Sequence, residues 1–106
     1  EAVLTIHLPQ ELDHPQSDRI RKETDRIMSR AYIKKIIFDF ENTEFMDSSG
    51  IGLIMGRYRA LGMGQKCIAA VNVDRYMDKL LHLSGVHRYM EIQKKIEEGG
   101  HYGKDE

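Results

Sequence analysis

Two adjacent serines that follow an aspartate are the side chains best suited to carry chemistry in this chain. Asp47, Ser48 and Ser49 stand in the segment FMDSSGIG, residues 45–52, soon after an apolar run that ends at Phe40. Serine and aspartate oxygens accept hydrogen bonds from the free N–H groups of a helix's first turn, and the helix dipole favours negative charge there. The pattern therefore predicts a helix start with a serine that either caps the helix or carries a phosphate.

A phosphate on one of these serines would act as a charge switch. Phosphoserine adds about −1.5 to −2 charges and strong acceptor oxygens, which would make a dense negative patch beside Asp47. If this helix end docks on a partner, the phosphate would prevent docking by repulsion, desolvation and bulk, with no large change of fold. The spacing alone does not distinguish Ser48 from Ser49. Asp47 is expected to be a helix cap or a surface acid that helps to orient the serine, rather than a catalytic group.

Three segments of the chain together resemble the STAS domain family. They are FMDSSGIGLIMGRYR at residues 45–59, ELDH at residues 11–14 and LSGV at residues 83–86. The resemblance extends from about residue 3 to residue 92, and within the family the chain is most similar to the sporulation-type anti-sigma-factor antagonists. In that family the second serine of the motif is phosphorylated by the partner kinase. The resemblance therefore implies Ser49 as the phosphoacceptor, with Asp47, Ser48 and Gly50 shaping the site.

The resemblance implies a regulatory binding protein, an anti-anti-sigma factor, with no catalysis and no cofactor of its own. The unphosphorylated protein would bind an anti-sigma factor that is also a serine kinase, and would so release the sigma factor. The kinase would phosphorylate Ser49 and dissociate, and a PP2C-like phosphatase would restore the active form in this partner-switching cycle. The docking surface would surround the motif and ELDH, with Glu11, Asp13 and Arg57 as interface residues.

Three other functions are alternatives. The resemblance also fits a STAS module that serves as a scaffold or as part of a larger regulatory or transporter protein. A serine hydrolase would need a base near Ser49 and a third group that orients it. The chain lacks the G-x-S-x-G elbow, and none of its five histidines is recognisably paired with the motif. Weak nucleotide binding is the remaining alternative, since some STAS domains are thought to bind nucleotides.

The glycines after the serines have the spacing G-x-G-x-x-x-G at Gly50, Gly52 and Gly56. This is one residue off the dinucleotide fingerprint, and no G-K-[ST] makes it a P-loop. Metal binding is unsupported because the chain lacks a Cys/His pair with ligand spacing. Turn and packing needs therefore explain the glycines better than a bound cofactor does.

The composition indicates one small domain in a reducing compartment. The chain has 106 residues and a net charge of −1, which gives no electrostatic reason to expect nucleic-acid binding. No apolar run approaches the roughly 18 residues that a membrane span needs, and no signal peptide is visible. The single cysteine, Cys67, stands in an apolar run and cannot form an internal disulfide. We therefore expect a buried thiol, no membrane association and a cytoplasmic protein.

Apolar periodicity alternates between strand and helix along the chain, which predicts an α/β domain. The expected strands are residues 4–8, 36–40, 66–71 and 89–92, with a short extended piece at 10–13. The expected helices open at Pro15, at about Ser49 and at Asp74. With the resemblance, this order predicts a single STAS domain over residues 1–98, with a mixed, mainly parallel four- to five-stranded sheet against three to four helices. The polar end from Gln93 is expected to be a partial helix that frays, and residues 99–106 a disordered tail.

The helix after the serines is predicted to approach its neighbours closely. Gly52 and Gly56 lie four residues apart and share one face, and an interior glycine costs a helix roughly 1 kcal/mol relative to alanine. We therefore expect the backbone to come near the sheet at these positions. Met46, beside the motif, is expected to be exposed at an interface. The predicted packing face of this helix consists of Ile51, Ile54, Met55 and Tyr58.

Overall fold

The computed structural model describes residues 2–96, and it confirms the α/β class. The elements in chain order are β1 (Ala2–His7), β2 (Glu11–Leu12), α1 (His14–Met28), β3 (Ile33–Asp39), β4 (Phe45–Met46), α2 (Ser48–Ala60), β5 (Ile68–Val73), α3 (Arg75–Ser84) and β6 (Glu91–Lys94). A 3₁₀ turn at Val86–Tyr89 joins α3 to β6. None of the helices in this part of the chain is both long and apolar enough to cross a membrane.

The main sheet has four strands in the order β1-β3-β5-β6. Every neighbouring pair in it is parallel, which agrees with the predicted mainly parallel sheet. Parallel neighbours need a crossover connection, usually a helix, and α1, α2 and α3 each supply one. β2 and β4 form a separate parallel pair of two residues each. The predicted strand and helix numbers are thus confirmed for the described residues.

The core lies where the helices cover the central strands. Ile36 and Phe38 of β3 and Ile68 of β5 are fully buried, as the continuous apolar runs predicted. The buried face of α2 differs from the prediction, because it consists of Gly50, Leu53, Ile54 and Arg57. Of the four residues predicted for that face, Ile54 alone is fully buried, and the other three pack only partly against the core. The helix is therefore turned about its axis relative to the expected orientation.

Asp39 ties together the carboxyl ends of three strands. Its side chain accepts hydrogen bonds from Asn72 Nδ2 at 2.9 Å and from the backbone N–H of Glu41 at 3.0 Å. His7 Nδ1 lies 3.1 Å from its other oxygen. Burial alone would raise the pKa of Asp39, but the hydrogen bonds from Asn72, Glu41 and His7 outweigh it and hold that pKa below its usual value. Asp39 is therefore a carboxylate that anchors the loop leading to the serines.

The caps of the third helix follow the prediction, and the chain's end does not. Asp74 accepts a hydrogen bond from the backbone N–H of Met77, and Gly85 ends α3 with a φ of 84°.

Gln93 was predicted to begin a partial helix, but residues 93 and 94 extend β6 instead, because that strand pairs with β5 as far as Val73. The predicted tail at 99–106 lies outside the described residues.

Candidate functional site

The small sheet of β2 and β4 brings the starts of α1 and α2 side by side. Glu11 pairs with Phe45 and Leu12 pairs with Met46. Leu12 and Met46 are buried, whereas Glu11 and Phe45 point outward and are exposed. Because each strand leads directly into a capped helix, the chain segments that contain ELDH and the two serines lie next to each other.

Asp47 is the N-cap of α2, which is one of the two roles expected of it, and neither serine caps the helix. The Asp47 carboxylate accepts a hydrogen bond from the backbone N–H of Ser49 at 2.8 Å. Ser48 is the first residue of the helix and is exposed, and Ser49 is the second and is half-buried. Neither hydroxyl is therefore needed for the cap, and both remain available for modification or contact.

Asp13 has the same role at the start of α1. Its carboxylate accepts a hydrogen bond from the backbone N–H of Gln16 at 3.1 Å, and its side chain is half-buried. Asp13 was predicted as an interface residue, and the structure gives it this structural task at the rim of the site. Glu11, predicted for the same interface, is exposed on β2.

Gly50 packs tightly against two core side chains at the start of α2. A Cβ atom placed there would lie 2.5 Å from Met46 Cγ and 2.9 Å from Leu12 Cδ2. The predicted close approach at Gly52 and Gly56 is wrong, since a Cβ at either position would meet no atom within 4 Å. Of the three glycines, Gly50 is therefore the one at which packing excludes a side chain, where α2 contacts the small sheet.

Phe45, and not Met46, is the exposed hydrophobic side chain beside the motif. Met46 is 5% exposed, so the prediction that it faces a partner is wrong. Phe45 is 44% exposed. The reason is the strand alternation in β4, which turns one of two adjacent residues inward and the other outward.

Arg57 was predicted at the partner interface, but it is buried between α1 and α2. Its Nη1 lies 2.6 Å from Asp25 Oδ1 and donates to Thr24 Oγ1 at 3.1 Å. The residue is 5% exposed. Because α2 is turned relative to the expected orientation, the arginine points to α1 rather than to solvent. Arg57 therefore joins two helices and does not belong to an exposed docking surface.

His14 is the neighbour of Ser49 that the sequence did not reveal. Its Nδ1 lies 3.3 Å from Ser49 Oγ, although the two residues are 35 positions apart. The resemblance placed ELDH, which ends at His14, at the same surface as the motif, but no histidine was recognisably paired with the serines. Parallel pairing of β2 with β4 brings the two side chains together. Two-residue strands carry no alternation signal, so apolar periodicity could not reveal that pairing.

The contact between His14 and Ser49 has two of the three groups of a serine hydrolase site. A triad also needs a third group that orients the imidazole. Within residues 2–96, the only hydrogen bond of the His14 side chain is the one to Ser49. The glycines of the motif likewise form no phosphate-binding loop, because Gly50, Gly52 and Gly56 all lie inside α2. The geometry thus favours neither hydrolysis nor the nucleotide alternative.

Comparison with known proteins finds one family and a consistent set of relatives. A model of the STAS domain matches residues 1–99. An anti-sigma F factor antagonist from Paenibacillus polymyxa is 37% identical over 85% of this chain and 77% of its own length. Another protein of that name, from Lysinibacillus sphaericus, is 33% identical over 82% of this chain and 74% of its own length.

Two solved structures share the fold. The unphosphorylated anti-sigma factor antagonist SpoIIAA superimposes with a TM-score of 0.75 at 31% identity, covering 88% of this chain and 81% of that one. The phosphorylated form of the Bacillus cell fate determinant SpoIIAA gives a TM-score of 0.65 at 33% identity, covering 88% and 84%. The fold described above is therefore shared with a protein that has been solved with and without a phosphate.

Proposed function

The chain belongs to the STAS domain family, and we propose that it is an anti-sigma-factor antagonist that phosphorylation of Ser49 switches off. The observation that carries this proposal is the similarity in sequence and fold to antagonists, one of which has a phosphorylated form. The antagonist binds an anti-sigma factor that is also a serine kinase and so releases a sigma factor. Ser49 is the phosphoacceptor, and the protein acts in the cytoplasm.

The docking surface consists of the exposed residues around Ser49, namely Glu11, Phe45 and Ser48. Phe45 offers an apolar ring, and aromatic side chains at the centre of an interface often carry much of its binding energy. Glu11, its neighbour on β2, adds a carboxylate at the rim. In the unphosphorylated protein the start of α2 presents neutral hydroxyls beside this ring, which a partner can cover at little cost in desolvation.

A phosphate on Ser49 makes the docking surface costly for a partner to cover. The kinase transfers the γ-phosphoryl group of ATP to Ser49 Oγ, and ADP and a proton leave. The new dianion is close to the Asp47 carboxylate, because that carboxylate accepts a hydrogen bond from the backbone N–H of the same serine, Ser49. Covering two adjacent negative groups with a partner costs desolvation and repulsion, so the complex dissociates. A PP2C-like phosphatase hydrolyses the phosphoserine and restores the docking surface.

Exposure and family resemblance point to different serines. Ser48 is exposed and Ser49 is half-buried, so access alone favours Ser48. The family motif, however, places the phosphate on its second serine, which is Ser49 here. A kinase that docks on the start of α2 is able to reach either hydroxyl, and the proposal assigns the reaction to Ser49.

The test measures intact mass after incubation with the cognate anti-sigma kinase and ATP-Mg. Wild type, Ser48→Ala and Ser49→Ala form a matched set, since both substitutions remove one hydroxyl from the same helix turn and leave the Asp47 cap. We expect one phosphate on wild type and on Ser48→Ala, and none on Ser49→Ala. Ser49→Ala should also stay bound to the kinase in the presence of ATP, as measured by size-exclusion chromatography.

Three outcomes would count against the proposal. Phosphate on Ser49→Ala but not on Ser48→Ala would move the switch to Ser48. No phosphate on any folded variant, with a kinase active on another substrate, would favour the STAS scaffold instead. Labelling of Ser49 by a serine-directed fluorophosphonate, abolished in His14→Gln, would favour the hydrolase.

A further inference from the structure

We propose that His14 and Ser17 of α1 receive the phosphate of phosphorylated Ser49, in the groove between α1 and α2. This inference rests on the proposed phosphorylation of Ser49 and goes beyond it, because it assigns the phosphate a binding site within the chain itself. The modified serine then joins the two helices instead of projecting freely into solvent.

Ser49 Oγ already contacts the residue that would bind the phosphate. His14 Nδ1 lies 3.3 Å away, at the start of the neighbouring helix. The His14 side chain is exposed and has no other hydrogen bond within the described residues. An imidazolium beside a phosphate forms a charge-assisted hydrogen bond, which is roughly twice as strong as a neutral one.

A groove of about 240 Å³ opens beside this contact. Its walls include His14, Ser17 and Arg21 from α1, and Ser49 and Gly52 from α2. A Cβ atom at Gly52 would meet nothing within 4 Å, so the α2 side of the groove is unobstructed. The glycine one turn after the serine thus leaves room for the modified side chain.

Ser17 supplies an independent reason to expect a ligand in the groove. The residue is 5% exposed, and its hydroxyl oxygen has no hydrogen-bond partner in the described part of the chain. Buried hydroxyl groups in folded proteins nearly always have a partner. A phosphate oxygen reaching into the groove from Ser49 would give this hydroxyl an acceptor.

The other charged groups of the groove are already paired. Asp18 accepts from Arg21 at 2.7 Å and lies 3.2 Å from Lys22 Nζ. These hydrogen bonds hold the pKa of Asp18 below its usual value, so it is a carboxylate. Asp13 and Asp47, at the starts of the two helices, each accept a backbone N–H as caps. The His14 imidazole is therefore the side chain left to donate to a phosphate, because Arg21 is shared between Asp18 and Asp25.

The test is a phosphorus NMR titration of protein with phosphoserine installed at position 49 during translation. The second ionisation of a free phosphoserine lies at about pH 6, and a neighbouring cation lowers it. We expect its midpoint to rise by roughly half a unit in His14→Gln relative to wild type, and by less in Ser17→Ala. His82→Gln, another exposed helical histidine, should match wild type.

An unchanged midpoint in His14→Gln would overturn the proposal, as would an equal rise in His82→Gln. Backbone NMR spectra of each variant check that the fold is retained. Because the phosphoserine is installed without a kinase, a kinase that fails to modify Ser49 contradicts the proposed function alone. The two proposals can therefore fail separately.

Discussion

The Asp47 carboxylate accepts a hydrogen bond from the backbone N–H of Ser49, so the residue that caps α2 also holds the backbone of the proposed phosphoacceptor. Asp47→Ala should lower the free energy of unfolding by about 1 kcal/mol, because the cap is lost. Asp47→Ser keeps a capping oxygen and should cost only a few tenths of that amount. Urea denaturation of both variants measures the difference. Equal stability of Asp47→Ala and wild type would show that the cap contributes nothing.

Gly50→Ala should destabilise the protein, whereas Gly56→Ala should not. A methyl group at Gly50 would press on the Met46 and Leu12 side chains, and overpacking of this kind costs about 1–3 kcal/mol. Gly56 lies in the same helix with open space around it, so alanine there should add up to about 1 kcal/mol of stability. Thermal and urea unfolding compare the pair. A Gly50→Ala variant as stable as Gly56→Ala would contradict the close approach.

Arg57 variants should change stability and leave partner binding unaltered. Arg57→Ala removes a buried side chain that packs between two helices and should cost about 1–3 kcal/mol. Arg57→Met keeps most of that packing and should cost less, because Asp25 is half exposed and regains water when its partner is lost. Calorimetric titration with the anti-sigma kinase should give equal affinities for wild type and Arg57→Met. A tenfold loss in a folded variant would restore Arg57 to the interface.

Stability should fall in acid partly through Asp39. The pKa of Asp39 is lowered in the folded protein, so the unfolded chain takes up the proton first as the pH falls. The stabilisation is complete above the ordinary value of 3.8 and is lost as the pH drops below it towards the folded pKa. Asp39→Asn should be less stable at pH 7 and should show a shallower acid loss. Parallel acid-limb slopes in the two proteins would contradict this assignment.

The parts of the fold that could be predicted are those with strong local signals. The apolar run of β3 is buried, Asp74 and Gly85 bound α3, and Cys67 is a buried thiol. These features depend on residue type and on near neighbours in the chain, and a sequence shows the residue types and the neighbours directly. The motif also places both serines at the start of a helix.

The rest depends on contacts between distant segments. The orientation of α2 follows from Gly50 resting on Leu12 and Met46, which are held by two pairs of strand residues. That orientation decides that Arg57 is buried. It also explains why Gly52 borders a groove and touches nothing. A pairing so short leaves no periodicity to detect, so these positions could not be predicted.

The register of the two-residue pairing between β2 and β4 also determines which side chain lies beside the proposed phosphorylation site. Side chains alternate in a strand, so a slip by one residue would exchange the inward and outward sets. If β2 slipped along β4, Leu12 would enter water and Glu11 would face the core. The same slip would carry His14 past Ser49. The hydrophobic preference of two buried side chains is thus what sets a histidine beside a serine 35 positions away.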